Sequence, residues 1–150
     1  MKKIKIAHIL HSVGGVDVSL RFILENINTD KFETIVVHGE NDTKDIYIDR
    51  NSNPLNEYRV SIFRDISIMQ DIKALISVYK IIKKERPNLI HCHSTKGGII
   101  GRIVGYLLNI NVLHTPQAFS FLSTNNTFKK RIYLLLEKLL KFKNSYLLAS

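Results

Sequence analysis

The chain has 150 residues, enough for one domain with a buried core. Hydrophobic residues make up 45% and charged residues 23%, a globular balance that excludes a disordered chain, and the single cysteine, Cys92, excludes a disulfide framework and favours a reducing compartment. The formal net charge of +9 points to an anionic partner such as nucleic acid, acidic lipid head groups or phosphorylated substrates, although a composition rich in Lys, Asn and Ile explains it equally well.

Residues 3–10 begin in alternation and end apolar, which predicts a first strand that becomes buried on both faces. The run is broken by Lys5 and His8, so it lacks the apolar core of a signal peptide. A turn at His11-Ser12-Val13-Gly14-Gly15 follows, and then Val16, Leu20, Ile23, Leu24 and Ile27 recur at helical spacing. Gly14 and Gly15 serve either as a plain tight turn or as a place where backbone amides approach a ligand, with an anion favoured at the helix start. The dinucleotide fingerprint G-x-G-x-x-G is absent.

Residues 32–38 read as a second strand, 40–57 as a long surface loop with a small strand at 45–48, and 58–63 as a third strand. Asp65 is placed to start a helix whose apolar stripe is Ile68, Ile72, Leu75, Ile76, Tyr79 and Ile82. Lys83, Lys84 and Arg86 suit its C-terminus, and Pro87 stops it. Residues 89–93 form strand four and 97–108 the next helix. Gly97, Gly101 and Gly105 fall on one face of that helix, which points to close packing on the sheet. The apolar region 99–113 contains Arg102, Asn109 and Asn111 and is too short to span a bilayer. Residues 111–114 are strand five, 127–143 a long helix capped by Thr127, and 146–149 strand six.

This alternation predicts an α/β protein: a Rossmann-like open parallel sheet with helices on both faces. In such sheets ligands bind at the carboxyl edge of the strands. Three loops carry polar residues to that edge: 11–15, 91–98 and 114–120. In the middle one, Ser94 and Lys96 precede a helix that opens with Gly97, so a hydroxyl, a cation and amides can converge on a phosphate or on sugar hydroxyls. His91 and His93 share a face of their strand, but no cysteine or second close histidine pair completes a metal site, and none is expected. His93, nearer the strand end, is the better ligand-side histidine, with His91 structural and Cys92 buried on the other face. The last helix carries Lys129, Lys130, Arg131, Lys138 and Lys141 beside apolar residues that must pack on the sheet. Its basic remainder is either a solvated face or one that lies on anionic lipid. Basic residues are not interleaved with a nucleic-acid motif, so no nucleic acid is expected.

Taken in order, a Lys-Ile strand, the Gly-Gly loop, Leu89-Ile-His-Cys-His-Ser-Thr-Lys-Gly-Gly-Ile-Ile-Gly-Arg102 and Val112-Leu-His-Thr-Pro-Gln-Ala-Phe-Ser-Phe121 resemble the N-terminal domain of bacterial family 4 glycosyltransferases that build capsular and O-antigen polysaccharides. The resemblance covers essentially the whole chain. It implies one half of a GT-B architecture: an acceptor-side domain that shares a cleft with a C-terminal, donor-binding domain. It further implies a retaining enzyme without metal or other cofactor, a nucleotide-sugar donor and a lipid-linked saccharide acceptor. The location implied is cytoplasmic, peripheral at the inner face of the plasma membrane. Carried over by position, Gly14 and Gly15 lie near the donor phosphates or the transferred sugar. His93, Ser94, Lys96 and Gly97 line the acceptor side, and Thr115, Gln117 and Ser120 face the reacting centre. Many relatives have Pro-His-Gly where this chain has Pro116-Gln117-Ala118, and glutamine cannot act as a base. The chain ends after its last strand, so a truncated, inactive acceptor-side piece is expected.

Overall fold

A computed structural model of the chain describes residues 2–63, 67–116 and 127–148. The strands are β1 (Ile4–Ile9), β2 (Phe32–Gly39), β3 (Asn56–Val60), β4 (Leu89–His93), β5 (Asn111–Thr115) and β6 (Ser145–Leu147). They form one sheet in the order β3-β2-β1-β4-β5-β6, and every pairing is parallel. The chain starts in the middle of this sheet and winds outward in both directions. The switch therefore falls between β1 and β4, where His8 is in register with His91. This is the doubly wound α/β architecture expected from the alternating pattern.

Among the described residues, four helices lie between the strands: α1 (Gly15–Asn26), α2 (Ile68–Glu85), α3 (Ser94–Leu108) and α4 (Thr127–Leu139). One face of the sheet presents Ala7, Ile9, Ile35, Val37, Ile90, Cys92 and Val112 to buried residues of α2 and α3. The other presents Leu10 and Val36 to Leu20 and Leu24 of α1. Strands covered on both faces need apolar residues at successive positions, which is why β1 and β2 read as nearly continuous apolar runs.

The glycines of α3 seat it on the sheet. A Cβ at Gly97 would lie 2.5 Å from the Ile9 carbonyl oxygen, one at Gly101 would strike the Cys92 sulfur, and one at Gly105 would strike Val112. Cys92 is fully buried, and burial pushes its thiol up to about 12, as an inert core residue requires.

Several expectations are corrected. The predicted α2 stripe divides: Ile82 is buried and Leu75 and Tyr79 pack against the core, whereas Ile68, Ile72 and Ile76 are exposed and Ala74 and Val78, outside that stripe, are buried instead. The apolar residues of α4 also divide, leaving Phe128, Leu135 and Leu139 exposed instead of packed on the sheet. The loop after β2 is not wholly superficial, because Tyr47 is completely buried beside α1, and the small strand is a single bridge between Ile48 and Pro54. The helix start predicted at Asp65 lies outside the described residues.

Candidate functional site at the carboxyl edge

The first two polar loops and the described start of the third, His114–Pro116, lie at the carboxyl edge of the sheet. Helix α3 begins directly after β4, so Ser94, Thr95 and Lys96 form its first turn instead of a preceding loop. The sharp reversal falls on Ser94, whose φ of 63° is left-handed, a conformation that costs a non-glycine residue about 1–2 kcal/mol. The His114 Nε2–H donates to the Ser94 carbonyl (3.2 Å), and the ring fills the space above Gly98. His114 thus braces the turn from beneath and does not face the cleft.

Lys96 is half-buried and ion-paired with Asp71 in the first turn of α2. The Ser94 hydroxyl accepts from the His11 amide at 3.4 Å, which joins the end of β1 to the start of α3. His11 Nδ1 lies 2.7 Å from Asp42 Oδ1, whose side chain is almost completely buried. Burial alone would raise the Asp42 carboxyl. It is nevertheless held below the ordinary carboxylate range by His11 and by the Ser12 and Gly39 amides.

A second network holds the first loop. The Ser12 hydroxyl and the Tyr47 hydroxyl both donate to Asp17 Oδ1, at 2.8 and 2.7 Å, and Arg21 pairs with Asp17 while lying 4.4 Å over the Tyr47 ring. Burial would raise the Asp17 carboxyl, but these donors hold it below its usual value. Gly14 is the turn residue, with φ 59°, and neither Gly14 nor Gly15 has an atom within 4 Å of a notional Cβ. The start of α1 is therefore open, and a side-chain cap hydrogen bond is absent there.

His93 departs from its expected place. It is fully buried, with Nε2 3.1 Å from His8 Nδ1 and its ring tilted against that of His91 at a centroid distance of 4.0 Å. Its neighbour His8 stands one strand away, a contact that follows from the parallel register of β1 and β4. These three imidazoles offer ligand atoms within 4.8 Å of one another, so a third histidine does join the pair seen in the sequence. Among the described residues, no carboxylate bonds to any of them. Burial, reinforced by mutual repulsion, lowers His8 to about 3 and His93 to about 2. Burial and His114 lower His91 to about 4.

Of the other expected residues, Thr115 bonds through its hydroxyl to His91 Nε2 at 3.0 Å, and Gly97 is committed to packing against β1. Gln117 and Ser120 lie outside the described residues. The last helix ends at Leu139 rather than at 143: Lys130, Arg131 and Lys138 are exposed on α4 and Lys141 is exposed just beyond it, and the Lys129 side chain is outside the described set. The sequence reading missed His11, Asp42 and Asp71. The acidic partners of His11 and Lys96 come from a polar loop and from the first turn of α2, so spacing alone does not connect them.

Fold and edge together define a Rossmann-like half of the GT-B class. The family model described as "Glycosyl transferase 4-like" matches residues 9–149, and the chain belongs to that family. It is 36% identical over 139 residues to the Escherichia coli UDP-Gal:alpha-D-GlcNAc-diphosphoundecaprenol alpha-1,3-galactosyltransferase, covering 90% of this chain and 35% of that protein. The chain thus spans about a third of this curated relative. Among solved structures, a putative UDP-N-acetylglucosamine 2-epimerase from Listeria monocytogenes shares the fold with a TM-score of 0.66 at 11% identity, covering 93% of this chain and 38% of that one. MurG of Acinetobacter baumannii does so at 0.63 and 13%, covering 92% and 40%. No helix among the described residues is long and apolar enough to cross a membrane.

Proposed function

We propose that this chain is the acceptor-side domain of a retaining, metal-independent glycosyltransferase that moves a sugar from a nucleotide donor to a lipid-linked saccharide in cell-surface polysaccharide synthesis. One observation carries the proposal. In a chain of this family, the carboxyl edge carries Ser94 bonded to the end of β1 at the switch point, Lys96 in the same first turn of α3, and the open Gly14–Gly15 start of α1. The printed activity of the E. coli relative supports the donor and acceptor classes. In this assignment the Gly14 and Gly15 amides lie toward donor phosphate. Ser94 and Lys96 contact the acceptor, with Asp71 holding the Lys96 ammonium in place until an anion competes for it. The family resemblance assigns Thr115, Gln117 and Ser120 to the reacting centre.

Transfer needs a second, donor-binding domain, so the 150-residue chain by itself is inactive. The exposed face of α4 docks the protein on the inner surface of the plasma membrane. Phe128, Leu135 and Leu139 enter the interface, while Lys130, Arg131, Lys138 and Lys141 meet anionic head groups.

The test is a chimera in which this chain replaces the matching third of the E. coli galactosyltransferase, assayed for transfer of radiolabelled galactose to a lipid-linked acceptor. The chimera is expected to transfer and its Lys96→Ala variant to lose at least a hundredfold. Transfer by the isolated chain, or full activity of the Lys96 variant, overturns the assignment.

A further inference from the structure

The outward face of α3 lies at the bottom of a trench between α2 and α4, a cavity of about 450 Å³. Its walls are aliphatic: Ile68 and Ile72 from α2, Ile99 and Ile103 from α3, Ile132 and Leu136 from α4. Among the described residues no Phe, Tyr or Trp lines it, and its polar groups, His11, Asp71, Ser94, Thr95 and Lys96, gather at the end that opens on the carboxyl edge. Sugar and nucleobase sites need hydrogen-bonding groups along their length. A surface of branched alkyl groups leading away from a polar mouth suits a hydrocarbon chain with a polar head.

We infer that this trench holds the hydrocarbon tail of the lipid-linked acceptor, of the polyisoprenyl diphosphate class, with its diphosphate at the Lys96 mouth. The inference rests on the acceptor-side assignment above and adds where the lipid lies. Two features single out a lipid over other occupants. The trench rims continue into exposed apolar residues on both flanking helices: Ile68 is 75% and Met69 71% exposed on α2, and Phe128 is 73% and Leu135 57% exposed on α4. Beside Leu135 on the same helix Arg131 is exposed, and its charge complements an anionic bilayer. A tail that starts at the mouth can run along the trench and leave over these rims into the membrane. A buried peptide segment would have no use for a basic, apolar rim.

The test uses the whole chain with ¹³C-methyl-labelled isoleucine, titrated with farnesyl diphosphate and, separately, with inorganic diphosphate. Farnesyl diphosphate is expected to shift the methyls of Ile72, Ile99, Ile103 and Ile132 and to leave the core methyls of Ile35 and Ile90 in place. Inorganic diphosphate is expected to move none of the four. Ile72→Asp, at a position already half exposed, should keep the melting temperature and weaken farnesyl diphosphate at least fivefold. Unmoved trench methyls, equal shifts with inorganic diphosphate, or undiminished binding by Ile72→Asp overturns the inference. So does occupation of the trench by residues 117–126 of this chain. That would show as trench shifts in a Phe119→Ser/Phe121→Ser variant without ligand, together with no farnesyl diphosphate binding to the parent. Binding is read without any transfer reaction, so an inactive chimera with a farnesyl-responsive trench refutes the glycosyltransferase assignment alone. A chimera equally active on tail-less and polyisoprenyl acceptors refutes the trench alone.

Discussion

Mild acid should unfold this protein before its carboxylates protonate. His8, His91 and His93 are packed as neutral rings, with values of about 3, 4 and 2 set chiefly by burial. In the unfolded chain each titrates at about 6.5. Between those limits the unfolded chain takes up protons that the folded chain refuses, so stability is complete well above pH 6.5 and falls as the pH is lowered. The slope approaches about 1.4 kcal/mol per pH unit for each histidine. At pH 5.5 each ring costs about 1.4 kcal/mol and the three together about 4 kcal/mol, rising to about 6 kcal/mol at pH 5. All three folded-state values lie below this window, so the sums are insensitive to them. A domain of this size has about 5–15 kcal/mol in total. Burial also lowers His38 and His114, which act in the same direction. Asp17, Asp42 and Glu85 are lowered too, but their contribution persists until the pH drops below the ordinary carboxylate range, so they act later. Urea unfolding followed by circular dichroism at pH 7.5, 6.5 and 5.5 should show the loss. A His8→Gln/His93→Gln variant should retain about one third of the slope that the triad supplies. Stability that stays flat from pH 7.5 to 5.5, or a slope unchanged in the double variant, refutes the reasoning.

Gly97→Ala should cost about 1–3 kcal/mol and lower the melting temperature by several degrees, because its Cβ meets backbone of β1 at 2.5 Å. Gly15→Ala, with open space around it, should change stability by less than about 0.5 kcal/mol in the same calorimetric scan. Ser94→Gly relieves the left-handed backbone and should raise the melting temperature by about 2–4 °C, while transfer by the chimera falls. A rise in both stability and activity would argue against a functional use of that strained turn. Reversing Lys130, Arg131, Lys138 and Lys141 to Glu should abolish co-sedimentation with vesicles rich in anionic lipid. The parent's binding should itself weaken steeply with salt.

Much of the sheet was legible because its strands are buried on both faces and the intervening helices carry clear punctuation. The fourfold spacing of Gly97, Gly101 and Gly105 also led directly to the contact between α3 and the sheet. The orientation of α2 was not legible. It carries two apolar rows at i, i+4 spacing, and the larger residues Ile68, Ile72 and Ile76 suggest the core. Close approach to the sheet favours the smaller Ala74 and Val78 instead. His93 was misplaced for a related reason. Its position at the strand end suggests exposure, whereas its surroundings are fixed by His8 on the neighbouring strand. The His11–Asp42 and Lys96–Asp71 pairs depend on where a long loop and a crossover helix return, which no local pattern encodes.

One ion pair bears on how an apolar trench survives in water without shutting. Arg102 of α3 is almost wholly buried; its Nη1 and Nη2 donate to the two carboxylate oxygens of Glu137 on α4 at 2.9 Å each, and its Nε donates to the Gly98 carbonyl at 2.9 Å. Two facing rows of isoleucine and leucine would gain by closing on each other, expelling the space between them. A forked guanidinium–carboxylate contact has a fixed length and a fixed plane, so it acts as a strut that sets the separation of α3 and α4. Its replacement by apolar residues could leave the protein as stable as before and yet close the trench, a loss that a melting curve alone would not register.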